Sequence, residues 1–402
     1  MADRHVRIPK FGRAAPPIGS EFVSLEAASG VVLLAATIVA LVWANTASGS
    51  YLEWWHHHLT IGVGDASITL SYVEWVNQGF MTLFFFLVGL EIKRELVVGE
   101  LRDKRTAALP AVAALGGMVV PALLYVAINF GSGGIDGWAV PMATDIAFAV
   151  GVLALLGARV PSRLKLFLLT LAIVDDIGAI LVIALFYSRG LNFWWLAGAA
   201  GALLLVVVMS RLGVDHPLLY LLPGLLLWVC LLESGVEATL AGVMLGLLTP
   251  ARPRGGRPVL ERLEHHLLPW SSFLVVPVFA LANAGVLLTA DSIDAALRSR
   301  ITIGIVVGLV VGKFVGIMGA TLIGLRTGIG RLPEGVTRRQ IAGVAVLGGI
   351  GFTVALFVSD LTFHGSALDH AKIGVLGASV IAAVLGMIVL LLLLRTPQED
   401  RS

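Results

Sequence analysis

The sequence predicts an all-α polytopic membrane protein. It has twelve transmembrane helices, inverted repeats over helices 3–5 and 10–12, broken helices 4 and 11, and a small external β-hairpin. Three observations carry that prediction: composition, the length of the apolar runs, and the placement of the basic residues. Of 402 residues, 57% are hydrophobic and only 13% charged, about half the charged share of a soluble domain. The mean hydropathy is +0.93. One membrane unit is expected over 27–394, between a cytoplasmic N-terminal segment, 1–26, and a cytoplasmic tail, 395–402. Residues 1–26 are polar, with Pro16 and Pro17, and lack the short apolar core of a cleaved leader, so the first span is expected to be retained. Cys230 is the single cysteine, which excludes a disulfide framework. Lys and Arg form no cluster on one folded face, so no nucleic-acid partner is expected.

A helix needs about 20 apolar residues to cross a bilayer core. Runs of that kind cover 27–45, 73–92, 106–128, 138–158, 166–187, 193–210, 217–232, 238–250, 271–290, 301–324, 341–361 and 372–394, the seventh and eighth being short. Counting Lys and Arg in the intervening segments tests this map. The termini and the loops after even-numbered spans hold 23, the other loops hold 4 when Lys372 at the very start of the twelfth span is counted with them, and Lys313 lies inside the tenth span. Both termini are therefore expected in the cytoplasm.

The first external loop departs from helical periodicity. Leu59, Ile61 and Val63 alternate, Gly64-Asp65 offers a turn, and Ile68 and Leu70 alternate again, which is the pattern of a β-hairpin. An isolated two-stranded hairpin is marginal in water, so this one is expected to lie on the membrane surface or to pair with a second subunit. Trp54, Trp55 and Trp75 flank it, as suits a membrane interface. The run His56-His57-His58 reads as a solvated surface stretch, because consecutive residues converge poorly on one metal ion.

Asp145, Asp175, Asp176 and Lys313 fall inside spans at similar depth. Each costs about 3 kcal/mol at a helix centre, roughly 12 kcal/mol together. A buried structural ion pair accounts for one acid and the base, and leaves two acids over. On the fifth span Ala172, Asp175, Asp176 and Ala179 follow i, i+3, i+4, i+7 spacing and make one narrow stripe. On the tenth, Gly304, Gly308, Gly312 and Gly316 form a stripe that lets another backbone approach closely, with Lys313 beside it.

Two spans carry interruptions. Pro141 precedes Thr144-Asp145 in the fourth, and Gly348-Gly349-Ile350-Gly351 lies in the eleventh. Unwound backbone at this depth is tolerated only where it is buried in protein or lines a cavity. Spans seven apart cross in opposite directions, so 3–5 and 10–12 are expected to be inverted repeats. That arrangement points to a transporter site at the midplane. Asp145 suits the positive N-terminal ends of facing half-helices, and Lys313 the negative C-terminal ends.

The strings "FFFLVGLEIKREL" from Phe84, "ATDIAFAVGVLALLG" from Ala143, "LAIVDDIGAI" from Leu171, "FALANAGV" from Phe279 and "GGIGFTVALFV" from Gly348 resemble NhaA-type Na+/H+ antiporters, from about Glu21 to the twelfth span. That family is itself a standard example of inverted-topology repeats. The resemblance implies a bacterial inner-membrane antiporter exporting Na+ or Li+ against entering protons. It implies electrogenic, pH-regulated exchange without a cofactor, and a homodimer through the hairpin, 59–70. It gives Asp176 the role of essential cation carboxylate and Asp175 that of its neighbour in ion and proton exchange. Lys313 becomes the tenth-helix lysine that pairs with Asp175, and Thr144 and Asp145 become broken-helix residues beside the site. Glu91, Arg94, Glu95, Glu264 and His265 match the cluster associated with pH activation. Gln78, Glu237 and Leu268 depart from familiar members, which have an acid at the first position and histidines at the other two; the departures bear on the pH set point.

Sodium is a hard cation that prefers oxygen ligands. Carboxyl groups taken out of water together also hold protons far more readily than one in water, so such a site holds protons or a metal ion, not both. An organic-anion or bile-acid symporter of similar architecture is the alternative, and it requires a larger polar cavity. A membrane-embedded metal enzyme built on Asp175-Asp176 lacks a further spaced aspartate in 177–184, and "GLVVGKF" from Gly308 is one residue short of a P-loop and lacks the following Ser/Thr. The chain is not expected to be an enzyme.

Overall fold

The computed structural model describes residues 20–63, 66–188, 190–214, 216–250 and 259–394. The turn expected at Gly64-Asp65, the tail 395–402 and all but the last seven residues of segment 1–26 lie outside them. The chain is a helical bundle with one two-stranded sheet among these residues. The first helix, α1, runs Ser20–Thr46. After a short helix, Ser48–His56, strands β1 (His58–Val63) and β2 (Ala66–Ser71) pair antiparallel, His58 opposite Ser71 and Ile61 opposite Ile68. The expected hairpin is therefore present, anchored to the bundle where Trp75 Nε1 donates to the Leu59 carbonyl at 3.0 Å.

A π-wound turn, Trp75–Phe80, leads into α2 (Met81–Val97). Helix α3 follows over Lys104–Asn129. The fourth span is broken as expected: a 3-10 segment, Ile135–Met142, gives way at Ala143 to extended backbone, and α4 (Ile146–Leu155) resumes after Asp145. Helices α5 (Ser162–Phe186), α6 (Phe193–Arg211), α7 (Leu221–Ser234) and α8 (Leu240–Leu248) come next. The long α9 (Val259–Asn283) and α10 (Arg300–Arg326) precede the second break. There α11 (Arg338–Leu347) and α12 (Phe352–Thr362) meet at a 44° bend, and α13 (Ser366–Leu393) ends the bundle. Thr337 and Gln340 start α11 with a reciprocal capping box.

Nine helices among the described residues are long and apolar enough to cross a membrane, or ten with the bent α11–α12 pair as one span. Of the twelve expected runs, 73–92 and 238–250 are the two without such a helix. The first continues into the charged turn of Lys93, Arg94 and Glu95, and the second contains only the nine residues of α8. The ninth run, expected at 271–290, instead lies over Val259–Asn283, because the amphipathic segment holding Glu261, Arg262 and Glu264 stays helical.

Glycine sets the closest approaches. Helix α10 lies along α3 with Gly316 facing Gly116, Gly312 facing Pro121, and Gly308 facing Pro141 of the 3-10 segment. The expected glycine stripe thus seats the Lys313 helix against the first break. A β-carbon on Gly316 collides with the Gly116 carbonyl oxygen, whereas one on Gly319 meets nothing within 4 Å. We predict that Gly316→Ala costs about 1–3 kcal/mol by forcing the two backbones apart. Gly319→Ala is neutral or slightly stabilising. Thermal melts of the two purified variants check this; equal melting points refute it.

Candidate functional site

The site forms where the two breaks cross. The Asp145 N–H donates to the Ile350 carbonyl at 2.6 Å, and Thr144 Oγ1 donates to the Gly348 carbonyl at 2.9 Å, so each break satisfies part of the other's backbone. The Asp145 carboxylate caps both half-helices that begin there. Oδ1 accepts from the Phe148 N–H of α4 at 2.9 Å. Oδ2 accepts from the Thr353 N–H of α12 at 3.1 Å and from Thr353 Oγ1 at 2.7 Å. One anion therefore sits at two positive helix ends, as the pairing of Asp145 with the N-termini anticipated. Sequence reasoning gave Thr353 no role, although it lies inside the glycine-rich string of the eleventh span.

Lys313 follows another π-wound turn, Val307–Gly312, and its side chain is fully buried. The ammonium donates to Asp175 Oδ2 at 2.7 Å and to Thr144 Oγ1 at 2.9 Å. It reaches the second break through the Thr144 hydroxyl. The stripe expected on α5 is a buried face, with Ala172, Asp175, Asp176 and Ala179 all facing inward. The two adjacent carboxylates differ sharply. Asp175 is held by Lys313 through one oxygen while Oδ1 is buried without a partner. Asp176 makes no hydrogen bond or ion pair among the described residues and lines a cleft of about 90 Å³. That cleft is also lined by Glu91, Thr144, Asp145, Glu264, Leu268 and Thr353.

Four of the five residues of the charged cluster come together. Arg94 on α2 forms ion pairs with Glu264 of α9 and with its neighbour Glu95, and it acts electrostatically on Glu91. His265 is not part of this cluster: it is exposed, with its ring against His266. Successive residues of a helix point about 100° apart, so Glu264 and His265 cannot both face α2. The departing residues separate as well. Leu268 lines the cleft, while Gln78 and Glu237 lie at the opposite, hairpin end of the bundle.

Glu237 occupies the turn between α7 and α8, where Thr239 Oγ1 donates to its Oε1 at 3.3 Å. Burial pushes its carboxyl from 4.5 up to about 7. Folded protein therefore binds this proton more tightly than unfolded chain. The resulting stability is present at acidic pH and is lost as pH rises between those two values. We predict that wild type loses about 3 kcal/mol on this account between pH 5 and 8. Glu237→Gln lacks that loss. Melting curves at both pH values check it, and parallel losses in the two proteins refute it.

Comparison with known proteins agrees with the geometry. The family described as Na+/H+ antiporter 1 matches residues 20–390. The Na(+)/H(+) antiporter NhaA of Escherichia coli strain HS is 46% identical, over 91% of this chain and 95% of its own length. That of Oleidesulfovibrio alaskensis is 42% identical over 99% and 100%. The Na(+)/H(+) antiporter NhaA 1 of Clostridium beijerinckii is 44% identical over 91% and 93%. Crossed breaks, a buried carboxylate pair and a match over nearly the whole length agree: the chain belongs to the Na+/H+ antiporter 1 family.

Proposed function

We propose that this membrane protein is a secondary antiporter that exports Na+, or Li+, in exchange for protons, with Asp175 and Asp176 as the shared binding carboxylates. The observation that carries the reading is the state of those two groups. In a chain of this family, two buried acids stand side by side: Asp175 Oδ1 is buried without a hydrogen-bond partner, and Asp176, which lines the cleft, makes no hydrogen bond among the described residues. A hard cation fills that need with carboxylate oxygens, the Thr144 hydroxyl and carbonyls freed at the breaks. Protons fill it equally well. Because the two ligands compete, a protein that exposes the site to one side at a time exchanges one for the other with no cofactor and no covalent chemistry.

The remaining roles follow. Lys313 offsets the charge of Asp175 and fixes Thr144, and Asp145 offsets the half-helix N-termini. Glu91 and Glu264 line the cleft, Arg94 and Glu95 are tied to them, and with His265 next along the chain they regulate access with pH. The twelve-span topology with inverted repeats is retained in this reading, with 73–92 and 238–250 as short or charged crossings. Both termini then face the cytoplasm of a bacterial inner membrane, the cleft opens inward, and the hairpin, 59–70, pairs two protomers outside. More than one proton per Na+ makes exchange electrogenic. An organic-anion symporter fits less well, since a cleft of about 90 Å³ is small against the roughly 300 Å³ that organic ligands require.

Two outcomes are expected. Asp176→Asn keeps the volume but not the charge, and it is predicted to abolish Na+-driven proton movement, with at least a hundredfold loss in proteoliposomes. Robust exchange by a folded variant defeats the assignment. Shared-site competition further requires the apparent KM for Na+ to rise as pH falls, toward about tenfold per unit for each competing proton. Na+ titrations at closely spaced pH values measure this in wild type and in Glu264→Gln. A constant KM with falling Vmax in both proteins means that competition does not couple the ions.

A further inference from the structure

A second buried polar network lies at the hairpin end, apart from the site. Asn77, in the π-wound turn Trp75–Phe80, and Asn283, at the end of α9, exchange amide hydrogen bonds at 2.8 and 3.2 Å. Asn77 Nδ2 also donates to Asp360 Oδ2 on α12 at 2.7 Å. Both amides are buried. Phe279 and Phe357, one turn toward the site on α9 and α12, pack with ring centroids 6.3 Å apart.

The Asn77–Asp360 bond joins two different groups of helices. Asn77 and Asn283 belong to segments that pack on each other and on α2, whereas α12 packs mainly on α13 and the 3-10 segment. The strongest cation acting on Asp360 comes from its own side: Lys372 on α13, with weaker contributions from His364 and, opposing, Glu74. Lys372 is 9% exposed, and it makes no ion pair or hydrogen bond among the described residues. A buried ammonium without a direct partner is costly. Here it stands in the field of a carboxylate whose hydrogen bond is given to the neighbouring group.

The inference rests on the antiport reading. A site that opens at the Glu264 end in this structure must open at the hairpin end in another state, and that requires α12 to part from Trp75–Phe80 and α9. Parting breaks the Asn77–Asp360 bond and leaves a half-buried carboxylate that the nearby Lys372 ammonium can hold. We propose that Asp360 is a partner-exchanging positioning residue: Asn77 holds it across the helix interface while the hairpin end is closed, and Lys372 holds it once that end opens. The exchange keeps both states near in energy, as a two-state element requires.

The signs of the effects test this. Asn77→Ala removes the partner of the closed state and shifts the protein toward the open one. Lys372→Met removes the partner of the open state and shifts it the other way. Spin labels at Leu52→Cys and Ser366→Cys, in a Cys230→Ser background, report the separation of the two groups at the hairpin end in lipid nanodiscs. Both positions are exposed, and Leu52 neighbours Tyr51, whose hydroxyl donates to the Leu281 and Ala282 carbonyls of α9. The expected change in the ratio of long to short distances is about tenfold in each direction, the worth of one hydrogen bond to a charged group. In an Asp360→Ala background, Asn77→Ala adds nothing further. Asn77→Ser replaces Asn77→Ala if the latter fails to fold. Any result other than opposite displacements by the Asn77 and Lys372 variants overturns the proposal. Because helix separation is read without transport, Na+/H+ exchange by the unlabelled protein tests the antiport reading independently.

Discussion

One carboxylate, that of Asp145, makes the rest of this architecture possible. Breaking two helices inside a membrane exposes backbone groups that no water reaches. It also brings two positive helix ends together, which repel unless an anion lies between them. Asp145 supplies the charge and accepts from both ends, while its own N–H satisfies a carbonyl in the second break. The candidate site and the device that stabilises the breaks are therefore one hydrogen-bonded network. Lys313 continues it, through Thr144, to the Gly348 carbonyl. In a medium of low dielectric such a chain is strong when complete and costly when any member is missing.

Within that network two neighbouring acids acquire different characters. Asp175 and Asp176 share a helix face but differ by about 100° in azimuth, enough to turn one toward the α10 ammonium and leave the other at the cleft. The difference arises wholly from packing. Residue 175 faces the helix that the glycine stripe brings close, and residue 176 faces the gap beneath α2 and α9. In the proposed antiport, loading a cation draws on both, because the tethered acid keeps an oxygen free and the open acid makes no hydrogen bond among the described residues.

The parts of this arrangement that violate a solvent rule were readable in the chain. Charged residues in apolar spans, clustered glycines at mid-span and alternation in a loop each stand out against a uniform background, and the acids, both breaks and the hairpin were found from them. What depends on winding or distant pairing left no such mark. The π-wound turns have no residue signature beyond scattered glycines, Gly79 in one and Gly308 and Gly312 in another. Asn77 and Asp360 lie near span ends, where polar residues read as solvated, and they meet across 283 positions of chain. Glu264 and His265 are grouped by the family resemblance, and helical geometry turns His265 away from the others. Two of the expected spans, at α2 and the nine-residue α8, fall short of the length and apolarity of an ordinary crossing helix.

The π-wound turn before Lys313 has a consequence for how such a chain can change over time. Relative to ordinary winding it accommodates an additional residue within the helix, so everything after Val307–Gly312 is phased by that surplus. Deleting a single residue there would restore regular winding without breaking the helix or disturbing its apolar character. It would also turn Lys313 by about 100° and shift it about 1.5 Å along the axis, out of reach of Asp175. The helix would still insert and pack, yet its one mid-span charge would face the wrong neighbour. Length in this turn is therefore under tighter constraint than residue identity. Homologous sequences should tolerate many exchanges of small and apolar side chains across it, but no gap.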